Sequence, residues 1–148
     1  MHFRDRPLPL GFLLASAMLY VACLPLESFC VNGSCSDWPG WGLLVFGWLG
    51  VVTGHPSDLT WLANPLLFAA WPLILAQRRR AAISCAVPAL TVSVSFFMFG
   101  DVVSNEAGIV MPVTGLRAGY WLWIASIGSA CFAAVFLAPS GAPLTRRR

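Results

Sequence analysis

The sequence predicts an all-α fold: a polytopic membrane helix bundle of four transmembrane helices, with a short re-entrant or interfacial helix on the external side. Three observations predict it. Of 148 residues, 58% are hydrophobic and 10% charged, where an average soluble domain has roughly 25% charged. The mean hydropathy is +0.76, and apolar stretches of spanning length recur along the chain. Eight of the nine basic residues fall in three clusters, Arg4 with Arg6, Arg78 to Arg80, and Arg146 to Arg148, and such clusters mark the cytoplasmic flanks of membrane helices.

A spanning helix needs about 20 mainly apolar residues at about 1.5 Å each. The first span, residues 7–26, follows the positive pair Arg4 and Arg6 and also reads as a targeting signal. Tyr20-Val21-Ala22-Cys23 resembles a lipoprotein cleavage box, although Tyr20 stands where that box has an aliphatic residue. An uncleaved signal-anchor helix is preferred on length, with cleavage at Cys23 as the alternative.

The segment after it carries Cys30-Val31-Asn32-Gly33-Ser34-Cys35. Asn-Gly is the strongest two-residue hairpin signal, because both central positions of a type I′ turn need positive φ. With Asn32 and Gly33 at the turn, Val31 pairs with Ser34. Cys30 then faces Cys35 in a non-hydrogen-bonded pair with Cα atoms about 4.5 Å apart, so a disulfide is predicted. A structural staple is preferred, and its external placement permits it. Asn32-Gly33-Ser34 also matches a glycosylation acceptor, but the turn alone accounts for it.

The stretch from Trp38 to Ala76 is apolar enough for two helices and is broken at Gly54-His55-Pro56-Ser57-Asp58. Its first part, residues 38–53, is short and rich in glycine, with Gly40, Gly42, Gly47 and Gly50. Its second part, residues 57–77, is long enough to cross and runs into the arginine triplet. Pro65 and Pro72 each remove a backbone donor there, so a kink is expected, with Asn64 supplying a partner for a freed backbone group or bonding across to residues 38–53. The remaining spans are residues 81–103 and 119–138.

Charge decides whether residues 38–53 cross. If they do not, eight of the nine arginines lie inside, while Glu27, Asp37, Asp58, Asp101 and Glu106 lie outside. If they do, one arginine cluster is forced outside. The four-span arrangement with cytoplasmic termini is therefore preferred to five spans with an external N-terminus. Trp38, Trp41, Trp61, Tyr120, Trp121 and Trp123 then fall near the external boundary, where an aromatic belt is favoured. Trp48 and Trp71 do not.

Small residues recur at helical spacing in the last span, as Ala125, Ser129, Ala133 and as Ser126, Ala130, Ala134, and in the third as Cys85, Ala89, Ser93. That spacing lets helix backbones approach closely in lipid. These faces are expected to join within one bundle, a separate membrane protein being the other occupant. Cys23, Cys85 and Cys131 read as small buried hydrophobes.

Three polar residues are the candidate functional groups: Asn64, Asp101 and Arg117. Polar groups at membrane depth are costly and commonly functional. Asn64 is read first as a packing residue and second as a ligand contact at the kink. Asp101 is placed near water at the end of its span, and Arg117 is placed to pair with Asp101 or Glu106. His55 and Asp58 lack a third metal ligand nearby. No catalytic, cofactor-binding or metal site is predicted. The sequence has no lysine, no Gly-rich phosphate loop and no carboxylate cluster, and its charge lies at helix flanks rather than on a nucleic-acid-binding face.

Through Cys30 and Cys35 in the first external loop, the topology loosely resembles the four-helix quinone-linked thiol oxidases. The spacing here is CxxxxC and the second external loop has no cysteine, so the resemblance extends no further. Trp38-Pro39-Gly40-Trp41-Gly42, Trp61-Leu62-Ala63-Asn64-Pro65 and Gly119-Tyr120-Trp121-Leu122-Trp123 together are similar to a group of small, uncharacterised four-helix bacterial inner-membrane proteins. That similarity implies a multi-pass inner-membrane setting and no particular activity. The expected function is non-enzymatic: an accessory, assembly or protective factor that contacts another membrane protein or a second copy of itself within the bilayer. The alternative is a small oligomeric transporter or channel built on the broken helix at Asn64 and Pro65, and a thiol oxidoreductase is more remote.

Overall fold

The computed structural model of the chain describes residues 7–103 and 109–137. The arginines at positions 4, 6 and 146–148, together with Ser104, Asn105 and Glu106, lie outside the described residues.

Five α-helices are described: α1 (Pro7–Cys23), α2 (Gly40–Thr53), α3 (Ala63–Leu75), α4 (Arg79–Ser95) and α5 (Ala118–Val135). A 3-10 segment, Asp58–Leu62, leads into α3, and another, Phe96–Met98, extends α4. With these extensions three helices are long and apolar enough to cross a membrane, with 18 residues in Asp58–Leu75, 20 in Arg79–Met98 and 18 in Ala118–Val135. The helix α1 is apolar throughout but has 17 residues, about 25 Å of rise against the about 30 Å of a bilayer's hydrocarbon core.

Two expectations change. Residues 81–103 do not form one span: Phe99 turns extended after Met98, and residues 101–103 form a strand. Gly100, a poor helix former, stands at that exit. The irregularity expected at Pro65 lies one turn earlier, where the 3-10 segment gives way to α3. Pro65 occupies the first turn of α3, where a missing N–H costs little, and α3 continues through Pro72.

The chain is also not wholly α. The strands β1 (Phe29–Val31), β2 (Asp101–Val103) and β3 (Val110–Leu116) form an antiparallel sheet in the order β1-β3-β2. It caps one end of the bundle. Phe29, Val31 and Val102 pack there with Phe96 and Tyr120 in a small core separate from the main one.

Within the bundle α1 lies antiparallel along α5. Ser129 Oγ donates to the Phe12 carbonyl and Ser126 Oγ to the Ser16 carbonyl, each at 2.8 Å. Ala130, Ala133 and Ala134 are fully buried. Carbonyls that already serve their own helix thus accept a second bond across a close interface, which only small residues permit. On α4 the buried line is Ala82, Ala86, Ala89 and Ser93, with Cys85 at its half-buried edge. Cys131 Sγ on α5 donates to the Ala86 carbonyl at 3.1 Å. Most of both small-residue faces is therefore used inside the bundle, with Ala125 left exposed and Ser129 and Cys85 half-buried.

The two ends of the bundle differ chemically. Arg79 Nε donates to the Val135 carbonyl at 3.3 Å, which sets the arginine triplet beside the last turn of α5. The opposite end holds the sheet, Glu27, Asp37, Asp58 and Asp101. Both ends of α2 are tied to this sheet end. The Gly40 N–H donates to the Leu26 carbonyl at 3.0 Å. Past the other end of α2, His55 Nε2 stands 3.9 Å from Asp101 Oδ1 in β2.

Candidate functional site

The glycines of α2 let it lie close to its neighbours. A Cβ at Gly47 would run into the Trp61 indole, and one at Gly50 would come within 2.8 Å of Asp58 Cγ. Trp61 Nε1 donates to the Leu44 carbonyl at 3.2 Å, so the 3-10 segment is bonded to the helix it supports. A Cβ at Gly40 would meet the Cys23 carbonyl oxygen at 2.6 Å, which fixes the start of α2 on the end of α1.

Held this way, α2 bridges the sheet end of the bundle and leaves a cavity of about 450 Å³ beneath it. This lies in the range of small-molecule sites. Its wall is mostly apolar, with Leu43, Leu44, Phe96 and Val102 among the contributors, and its charged lining residues, Asp37 and Asp58, are both acidic.

Asn64 forms part of that wall and is buried, with 6% of its surface exposed. Its Oδ1 accepts two hydrogen bonds of 2.9 Å, from the Tyr20 hydroxyl on α1 and from Trp123 Nε1 on α5. Indole nitrogen only donates, so the atom facing Trp123 is the oxygen and the amide orientation is settled. Nδ2, with two N–H donors, makes no hydrogen bond among the described residues. The sequence identified Asn64 but not its partners: Tyr20 counted only as a departure from a cleavage box and Trp123 only as part of the belt. Comparable depth was the available signal. Tyr20 lies near the end of its span, and Asn64 and Trp123 lie near the starts of theirs.

The same logic explains Trp71, which the aromatic belt left over. Its Nε1 donates to Ser16 Oγ at 2.9 Å. Tyr120 donates its hydroxyl to the Ser93 carbonyl at 2.9 Å, so this ring also has an internal partner.

The remaining candidates lie apart from Asn64. Cys30 and Cys35 are at disulfide distance with Cα atoms 4.1 Å apart, and the turn between them has Asn32 at φ 49° and Gly33 at φ 83°. Val31 and Ser34 exchange both backbone bonds, at 2.8 and 2.9 Å, as the hairpin register requires. Arg117 does not pair with Asp101. Its Nε and one terminal nitrogen each lie 3.1 Å from a disulfide sulfur, Cys30 Sγ and Cys35 Sγ respectively. The reason is register. Leu116 pairs with Phe29, which brings Arg117 to the hairpin, while Asp101 pairs with Pro112 on the other side of β3.

Asp101 is exposed, and its partner is His55, whose Nδ1 lies 2.8 Å from Ser57 Oγ. Among the described residues no group of three or more His, Cys, Asp or Glu side chains gathers as a metal site would require. Comparison of the chain with known protein families, characterised proteins and solved structures finds no match.

Proposed function

We propose that the chain is a single-domain, multi-pass protein of a bacterial inner membrane that binds a small apolar molecule in the cavity beneath α2 and performs no chemistry on it. One observation carries this reading: the cavity of about 450 Å³ is walled mostly by apolar side chains around the Asn64 amide, whose Nδ2 has no hydrogen-bond partner among the described residues. A role through the small-residue faces is less favoured, because those faces are mostly buried against the chain's own helices.

In the membrane, α1, α3, α4 and α5 cross and α2 lies on the external side without crossing. The segregation of charge supports this orientation, with Arg78 to Arg80 at one end and four carboxylates with the Cys30–Cys35 pair at the other. Both ends of α2 being tied to the sheet end supports a helix that does not traverse. For α1, contact along the whole of α5 compensates for modest length, since a short span is accommodated by local thinning of the bilayer. Both termini are then cytoplasmic.

A second reading, an accessory or protective protein that contacts another membrane protein, is favoured by the outward face of α2, where Trp41, Val45, Trp48 and Val52 are exposed. A transporter built on Asn64 and Asp101 receives less support, since Asp101 lies exposed in β2 and paired with His55.

The test is native mass spectrometry of the protein released from its membrane. The proposal expects a bound small lipophile on the wild type and its loss in Gly42→Phe. At Gly42 an added side chain meets only the Pro39 ring, at 3.6 Å, before it enters the cavity. An identical bound-lipid profile in the two proteins contradicts the proposal.

A further inference from the structure

We infer that the cavity selects a neutral apolar molecule through a carbonyl-type oxygen, which accepts hydrogen bonds from the Asn64 Nδ2 amide. The inference rests on the reading of the cavity as a binding site and adds the chemistry of the occupant.

Four observations on Asn64 and its surroundings converge. The Trp123 bond fixes the amide with Oδ1 toward the helix interface. The Tyr20 and Trp123 donors occupy both lone pairs of that oxygen, so Asn64 has no spare acceptor and two spare donors. The residue is 94% buried by its 6% exposure, yet it lines the cavity. The fully buried unpaired side-chain atom among the described residues is Gln77 Nε2 and not Asn64 Nδ2, so the Asn64 donors are open to the cavity, where a ligand oxygen can accept from them.

The same facts reject other chemistries. A carboxylate or phosphate would meet Asp37 and Asp58, the charged lining residues, with no cation among them. An alcohol's own proton would find no acceptor at Asn64 and would have to turn to Ser57, Thr60 or an aspartate of the wall, a second requirement that a carbonyl does not carry. A hydrocarbon would fill the cavity and leave the amide unsatisfied. A ketone or ester carbonyl on an aliphatic body meets each requirement, whether it belongs to a free lipophile or to the acyl ester of a membrane lipid.

The experiment uses the full chain in nanodiscs of an ether-linked phospholipid, which brings no ester carbonyl. The probes are 2-undecanone labelled with carbon-13 at its carbonyl and n-undecane as the carbonyl-free match. Isotope-edited infrared spectra are expected to show a second ketone band, shifted to lower wavenumber and saturating with protein. Competition is expected to favour the ketone over undecane by about five- to tenfold, the size of one net hydrogen bond. Asn64→Leu removes both effects. Should that variant not fold, the wild-type band and competition ratio decide alone.

Repeating the titration in ester-linked lipid separates the sources. Weakened ketone binding assigns the carbonyl to the lipid, and unchanged binding assigns it to a free molecule. Equal binding of ketone and undecane without a shifted band overturns this inference and leaves the cavity reading standing. Failure of both probes to bind overturns both.

Discussion

Trp123 on α5 donates its indole N–H to Asn64 Oδ1 on α3 at 2.9 Å, and the Tyr20 hydroxyl on α1 meets the same oxygen at the same distance. Three helices are joined at one atom. This pins the helices in one register, because each donor would otherwise sit unpaired among apolar side chains.

Removing the shared acceptor is therefore expected to cost more than removing one donor. Asn64→Leu should lower unfolding stability in detergent by about 1–3 kcal/mol, since it strands both the Tyr20 and Trp123 donors, whereas Tyr20→Phe should cost about 1 kcal/mol. Equal effects of the two substitutions would mean that the oxygen is not the junction.

The seat of α2 makes a matched pair of alanine substitutions informative. Gly47→Ala puts a Cβ into the Trp61 indole, while at Gly42 the nearest neighbour is the Pro39 ring at 3.6 Å. Hydrogen exchange across α2 should therefore accelerate in Gly47→Ala and remain near wild type in Gly42→Ala, whose Cβ has room. Equal exchange in both would show that the approach of α2 to the 3-10 segment is not tight.

Reducing the disulfide should have a local effect. Only four residues separate Cys30 from Cys35, and a loop that short contributes about 2 kcal/mol by the chain-entropy relation. Amides of β1 and the turn should exchange faster after Cys30→Ser with Cys35→Ser, while α1 and α5 stay protected. If the double variant abolished oxidation of a dithiol partner and left the fold intact, the remote thiol-oxidoreductase reading would return.

Orientation is checked by thiol labelling in a background lacking the native cysteines. A cysteine at His55 and one at Ser36 should both react with a membrane-impermeant reagent applied from outside the cell, because α2 begins and ends at the same face. Labelling of His55→Cys from the cytoplasmic side alone would establish that α2 crosses.

Much of this was legible in the sequence because it follows simple local rules. The helices, the small-residue seams and the Cys30 to Cys35 hairpin follow from apolar length, four-residue spacing and Asn-Gly turn chemistry. The sheet was not legible. The strand β2 has three residues and continues an apolar run, so it reads as the end of a helix, and β3 carries Pro112, which usually argues against a central strand. Here it is tolerated because β2 and β1 are short and the ladder is irregular, with a register shift between Cys30 and Val31. Asn64 was found because buried amides are conspicuous. Its cavity depends on how α2 folds back over the bundle, and no local pattern encodes that.

The central claim is that the space beneath α2 is a binding site rather than a packing gap, and fluorine NMR of the wild-type chain tests it most directly. The chain has seven tryptophans, of which Trp38, Trp61 and Trp123 line the cavity, while Trp41, Trp48 and Trp121 are exposed. With 5-fluorotryptophan incorporated, titration of 2-undecanone into nanodiscs should shift the three cavity signals along a common saturating curve and leave the exposed three unchanged. Non-saturating shifts in all six signals, or movement confined to the exposed three, would contradict it.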